Sequence, residues 1–222
     1  MRGSDVIQGV CFDLDGTLVD TERLQWQAYR RALAEYGVDI DLDEYRRRFI
    51  AVSGGAQWAC DRWQLPIDAP TLRARKAAVY RGLIAAGVPP MPGARACLER
   101  LRGSFGLAVV TNSTRAEAAI VLGSLASAEL LDAVVAREDY AAPKPAPDAY
   151  RAAAAALGYS PAACVAVEDT PRGVRAGCAA GMRVVAVPSD LTADRDFTGA
   201  ARRLGTLDGL TPALLRGLEG DA

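Results

Sequence analysis

The sequence predicts an α/β fold, a doubly wound parallel sheet with a small helical domain inserted after its first strand. Two observations carry this prediction. Short apolar runs recur along most of the chain and alternate with alanine-rich helical stretches at residues 95–102, 115–126 and 150–157. Strand alternating with helix is the pattern of a parallel sheet covered on both faces. That rhythm then breaks between residues 21 and 88, where amphipathic helical patterns appear without a convincing buried strand.

The first strand is expected in Val6-Ile7-Gln8-Gly9-Val10-Cys11-Phe12, which runs straight into Asp13-Leu14-Asp15-Gly16-Thr17. An apolar run ending in a polar, glycine-bearing loop is how a buried parallel strand reads at its carboxyl end. Four further strands are expected at Leu107-Ala108-Val109-Val110, Ala133-Val134-Val135, Ala163-Cys164-Val165-Ala166-Val167 and Val184-Val185-Ala186-Val187. In the inserted region, Leu24, Ala28, Ala32 and Tyr36 form one helical stripe, and Leu72, Ala78, Val79 and Leu83 another. The insertion closes at Pro89-Pro90-Met91-Pro92-Gly93, which cannot continue a helix. The expected domains are residues 1–20 with 89–222 as a catalytic core and 21–88 as a helical domain, hinged at Asp20 and near Pro89. Ligands of open α/β sheets bind at the carboxyl ends of the strands, so this insertion is expected to stand over the ligand site.

Composition excludes several function classes. The chain has 222 residues and a net charge of −1, and it contains no histidine. Ser-His-Asp and Cys-His catalysis and histidine-ligated zinc are therefore ruled out. Basic residues are scattered apart from Arg46-Arg47-Arg48, which reads as a solvated helix face, so no nucleic-acid partner is expected. No apolar stretch is long enough to span a bilayer, and no membrane partner is expected. Cys11, Cys60, Cys97, Cys164 and Cys178 are widely spaced and read as buried thiols. With no apolar signal region ahead of the first strand, a cytoplasmic protein is expected, and a monomer.

Four polar segments share one property: each follows an apolar strand or opens the loop after one. They are Asp13 with Asp15, Thr111-Asn112-Ser113, Lys144 in the loop Ala141-Ala142-Pro143-Lys144-Pro145, and Glu168-Asp169. Parallel, neighbouring strands bring all four to one sheet edge. Four carboxylates and one ammonium in a cleft need a further counter-charge, because like charges a few Å apart raise each other's pKa. Hard oxygen ligands with surplus negative charge suit Mg²⁺, which binds through one or two carboxylates plus substrate phosphate. Lys144 is a compact charge suited to phosphate. Thr111 and Asn112 can supply neutral donors to its oxygens.

These segments, in order and spacing, resemble the four motifs of the haloacid dehalogenase superfamily, and the resemblance covers essentially the whole chain. The inserted helical region looks like the small cap of its β-phosphoglucomutase and phosphoglycolate phosphatase branch. The resemblance implies that Asp13 attacks phosphorus to form an aspartyl-phosphate and that Asp15 acts as general acid and then base. It implies Mg²⁺ held by the Asp13 carboxylate, the Asp15 backbone carbonyl and Asp169, with Glu168 at or beside the metal. Thr111, Asn112 and Lys144 would grip the phosphoryl group. Asp15 argues against carbon–halogen cleavage, since the dehalogenases of this superfamily lack that second aspartate.

Ser53 and Gly54 fall in the cap loop that in this branch helps to choose the substrate. The expected substrate is a small phosphate monoester of sugar or sugar-acid type. A sugar phosphomutase is the alternative, and a non-catalytic phospho-ligand binder a third reading. Ile50, Gly54 and Gln25 stand where β-phosphoglucomutase carries basic residues and a histidine, so hydrolysis is preferred. Trp26, Trp58 and Trp63 read as the small core of the helical region. Gly173, Gly177 and Gly181, spaced by four, read as packing positions, with Gly181 as a helix cap.

Overall fold

A computed structural model describes residues 6–50, 54–125 and 128–218. The chain forms two compact units. One holds the residues up to Asp20 and from Pro89 onward, and the other is Thr21–Val88.

The first unit is built on strands β1 (Gly9–Asp13), β2 (Gly106–Val110), β3 (Ala133–Val135), β4 (Cys164–Glu168), β5 (Arg183–Ala186) and β6 (Arg202–Arg203). All pair in parallel, in the order β3-β2-β1-β4-β5-β6. Every residue of β1 and β4 is buried. Successive strand residues face opposite sides of the sheet, so burial of both alternating sets means that both faces are covered. The helices of this unit are α5 (Ala94–Leu101), α6 (Arg115–Leu125), α7 (Asp148–Leu157), α8 (Pro171–Ala180) and α9 (Pro212–Gly217), numbered after four in the second unit. Ala149, Ala153 and Ala154 of α7 and Val174, Ala176 and Ala180 of α8 pack with Cys11, Ala108, Ala166 and Val184 of the sheet. Alanine at so many of these places lets helix and sheet approach closely.

The strand order reverses direction at β1, with β2 and β3 on one side and β4, β5 and β6 on the other. That reversal opens a crevice at the carboxyl ends of β1 and β4. Register aims the acids at it. Phe12 pairs with Val167 and Asp13 with Val110, so Asp13 and Glu168 end their strands side by side.

The second unit contains α1 (Glu22–Ala34), α2 (Leu42–Tyr45), α3 (Gly55–Trp63) and α4 (Ala69–Ala85), with a π-helical turn over Arg46–Ile50. Among its described residues there is no strand. Its core is Ala32, Leu33, Ile40, Tyr45, Ala59, Cys60 and Leu72. Trp26, Trp58 and Trp63 are only partly buried and pack around that core rather than forming its centre. Arg47 and Arg48 of the basic triplet are exposed, as expected. Gly55 is required by packing, since a Cβ there would lie 2.5 Å from the Phe49 ring. Ser53 lies outside the described residues, and Gly54 precedes α3 in a left-handed conformation at φ 92°.

Some expectations need correction. The first strand starts at Gly9 rather than Val6. The short edge strand β6 was not foreseen, because its two arginines are exposed and carry no apolar signal. Cys178 is exposed, while the other four thiols are buried. Gly177 is a packing glycine, with a Cβ there meeting Val184 and Ala166, and Gly181 caps α8 at φ 91°. Gly173 is not a packing position of that kind, as the site shows. No helix among the described residues is long and apolar enough to cross a membrane.

Candidate active site

Asp13, Lys144, Glu168 and Asp169 meet at the crevice, and all four are buried. The Lys144 Nζ donates to Asp13 Oδ1 at 2.6 Å, to Glu168 Oε1 at 2.7 Å and to the Val110 carbonyl at 3.0 Å. Its three protons are shared among these acceptors and the Tyr150 hydroxyl oxygen, which lies farther off at 3.3 Å. Lys144 is thus fixed as a point charge between the ends of β1, β2 and β4.

Glu168 accepts from Lys144 and from the Tyr150 hydroxyl, both on Oε1, and from the Thr170 hydroxyl on Oε2. Thr170 also caps α8 by accepting from the Gly173 amide, with Pro171 in the first turn. Glu168 and Asp169 therefore lie beside a helix N-terminus, where negative charge is favoured.

Two glycines make room for the carboxylates. A Cβ on Gly16 would come within 2.3 Å of Asp169 Oδ2, and its φ of 88° also favours glycine. A Cβ on Gly173 would sit 1.8 Å from the Glu168 carboxyl carbon. The constraint on Gly16 visible in the structure is therefore the Asp169 carboxylate. Gly173 leaves the volume that Glu168 occupies.

Asp15 lies beyond the end of β1 and is held differently. Its Oδ2 accepts from the Thr111 hydroxyl at 2.8 Å and from the Ser113 hydroxyl at 2.9 Å. The Thr111 hydroxyl in turn accepts from the Ser113 amide. The single Thr111 proton is thus directed at Asp15, not at the open crevice. Asn112 is pinned by its carbonyl oxygen, which receives the Lys144 amide at 3.3 Å and lies 2.8 Å from the Tyr140 hydroxyl. Its NH₂ group remains the donating end of that side chain.

Sequence reasoning missed Ser113, Tyr140, Tyr150 and Gly173 as members of this site. Ser113 stands in the motif segment itself, beside Thr111 and Asn112. Tyr150 offered one signal, a phenol alone among alanines on the buried face of a helix.

Ligand oxygens of Asp13, Glu168 and Asp169 all lie within 4.8 Å of one another. Burial pushes the Asp13 carboxyl up to about 8 against the opposing pull of Lys144, and Glu168 and Asp15 push it the same way as burial. Ionising the whole cluster therefore requires more positive charge than one ammonium supplies. An all-oxygen donor set with surplus negative charge fits a hard divalent cation.

Residues 7–181 match the family of haloacid dehalogenase-like hydrolases. The chain is 34% identical over 213 residues to Protein CbbY of Rhodobacter capsulatus, covering 90% of this chain and 94% of that protein. It is 33% identical over 184 residues to the fructose-1-phosphate phosphatase YqaB of Escherichia coli, covering 81% and 95%. A solved structure of a CbbY variant from Rhodobacter sphaeroides in complex with xylulose-(1,5)bisphosphate superposes with a TM-score of 0.78 at 30% identity, covering 95% of this chain and 99% of that one. With its acids at the switch point of a parallel sheet and these relatives along most of its length, the chain belongs to the haloacid dehalogenase-like hydrolases, in their β-phosphoglucomutase and phosphatase branch.

Proposed function

We propose that the protein is a Mg²⁺-dependent phosphohydrolase that cleaves a small phosphate monoester of sugar or sugar-acid type through an aspartyl-phosphate. The observation that carries this reading is the unequal pair Asp13 and Asp15. One sits against the Lys144 ammonium and the metal-competent acids, and the other against two hydroxyl donors. That division suits a nucleophile and a proton carrier. The likeness to a fructose-1-phosphate phosphatase supports the sugar-phosphate part of that class.

In this reading Asp13 attacks phosphorus, a P–O bond to its carboxylate forms, and the bond to the leaving alkoxide breaks. Asp15 gives that alkoxide its proton. Thr111 and Ser113 both donate to Oδ2, so the proton Asp15 transfers is carried on Oδ1. Asp15 next takes a proton from water as the water oxygen attacks phosphorus, which releases inorganic phosphate and restores Asp13. Such a role contributes roughly 10²–10⁴ in rate. Lys144 and the Asn112 amide would balance and orient the phosphoryl oxygens. Mg²⁺, held by Asp13, the Asp15 carbonyl and Asp169 with Glu168 beside them, would supply the remaining positive charge.

We place the helical unit as the cap, with Ser53 and Gly54 among the residues that choose the substrate. Its chain leaves the first unit at Asp20, shortly after the motif that carries Asp13 and Asp15. Hydrolysis is preferred to phosphoryl return to a sugar because Ile50 and Gly54 offer no charge for a second phosphate. Gln25, for its part, accepts a hydrogen bond from Lys76. The test is hydrolysis of p-nitrophenyl phosphate and a panel of sugar phosphates. Activity should require Mg²⁺, vanish with EDTA and be absent in Asp13→Asn. A purified protein that hydrolyses no ester of the panel with Mg²⁺ overturns the proposal.

A further inference from the structure

Tyr150 is the third residue of α7, and none of its surface is exposed. Its hydroxyl donates to Glu168 Oε1 at 2.7 Å and lies 3.3 Å from Lys144 Nζ. The phenol proton goes to the Glu168 carboxylate, and the hydroxyl oxygen accepts from the Lys144 ammonium as the longest of that ammonium's contacts. The distance from Nζ to the ring centroid is 4.8 Å, within the range of a cation–π contact. One residue thus holds both the carboxylate that receives Lys144 and the ammonium itself.

Resting on the phosphohydrolase reading, we infer that Tyr150 is a positioning residue, whose hydroxyl fixes Glu168 and through it the Lys144 ammonium opposite Asp13. Without that hydroxyl, Glu168 Oε1 keeps only Lys144. The carboxylate can then swing on its remaining Thr170 contact and draw the ammonium away from the nucleophile. Ring and hydroxyl are separable. Tyr150→Phe keeps the ring beside Lys144 and removes the donor, whereas Tyr150→Leu removes both.

Steady-state kinetics with p-nitrophenyl phosphate at saturating Mg²⁺, together with melting temperatures, test this. A displaced Lys144 acts on the transferring group, so the loss should appear in kcat rather than KM. Tyr150→Phe is expected to lower kcat about tenfold, the equivalent of ~1.4 kcal/mol, with KM within about twofold of wild type. Tyr150→Leu should lose at least as much. A Phe variant whose kcat stays within about twofold of wild type overturns the inference, even if its melting temperature falls, because the hydroxyl then serves stability alone. A loss confined to Tyr150→Leu overturns it as well, by assigning the effect to the ring. If wild-type protein turns over no ester, the phosphohydrolase reading fails and takes the inference with it. Active wild type beside an unchanged Phe variant removes the inference only.

Discussion

Replacing Lys144 with methionine keeps most of the buried stem and removes the ammonium that its acceptors share. Asp13 lies at 2.6 Å and Glu168 at 2.7 Å, and Lys144 is only 5% exposed, so water cannot take over the lost contacts. Breaking a buried pair by deleting one partner costs about 3–5 kcal/mol, because the other charge is left without compensation. For a chain of this size each kcal/mol moves the melting temperature by about 2–4 °C, so a fall on the order of 10 °C is expected. The size of the gap depends on pH. Burial lowers the Lys144 pKa, but Asp13 and Glu168 outweigh it and hold the group above its usual 10.5. The stability this pairing contributes is present below about 10.5 and lost only as pH rises through the higher folded value. On the acid side Asp13 is raised from 3.8 to about 8, so the folded protein favours its neutral form, most fully below 3.8. That advantage disappears as pH rises through 8, and the variant then has no ammonium to offset the ionised acids. The gap between wild type and Lys144→Met should therefore be widest near pH 8 to 9 and shrink toward pH 4. Added Mg²⁺ should narrow it at the alkaline end. Differential scanning calorimetry of both proteins across this range, with and without metal, reads the effect. Metal-free melting temperatures within about 2 °C of each other at pH 8.5 would refute the reasoning, since they would mean that the buried pair is worth less than ~1 kcal/mol.

Two other substitutions separate the site from its scaffold. In Gly173→Ala the new Cβ would meet the Glu168 carboxyl group at 1.8 Å. Glu168 must move, and turnover should fall at least tenfold (~1.4 kcal/mol) while the gain from alanine in a helix offsets part of the stability loss. Gly177→Ala, whose Cβ would meet Val184 at 2.8 Å, should instead cost about 1–3 kcal/mol of stability with kcat little changed. Ser113→Ala removes one of the two hydroxyls on Asp15 Oδ2. We expect a loss of about three- to tenfold in kcat for substrates with poor leaving groups, and less for p-nitrophenyl phosphate, whose phenolate leaves with little need of an acid.

The parallel sheet was legible because β1, β2, β3, β4 and β5 are short apolar runs ending in polar loops. Runs of that kind make sense only when buried on both faces. The acids and Lys144 were legible for the same reason, since strand ends fix where a residue sits even when nothing else is known. Residues that act on these groups from behind were not legible. Tyr150 reads as one more apolar position of an alanine-rich helix, and only its depth shows that the hydroxyl faces Glu168. Gly173 reads as helix packing because its spacing matches Gly177 and Gly181, and only the position of the Glu168 carboxyl group tells them apart. Thr111 illustrates a subtler limit. Its place in the motif was readable, but the destination of its one proton, Asp15, depends on a side-chain direction that spacing does not encode.

Trapping the covalent intermediate tests the central claim most directly. Wild-type protein turning over a phosphate ester with Mg²⁺ is quenched in acid during steady state, digested and mapped by mass spectrometry. The account predicts a phosphoryl group on the peptide that carries Asp13, absent when Mg²⁺ is withheld and absent in Asp13→Asn. Turnover that proceeds at the wild-type rate in Asp13→Asn, or a phosphoryl group found on another residue, would contradict it.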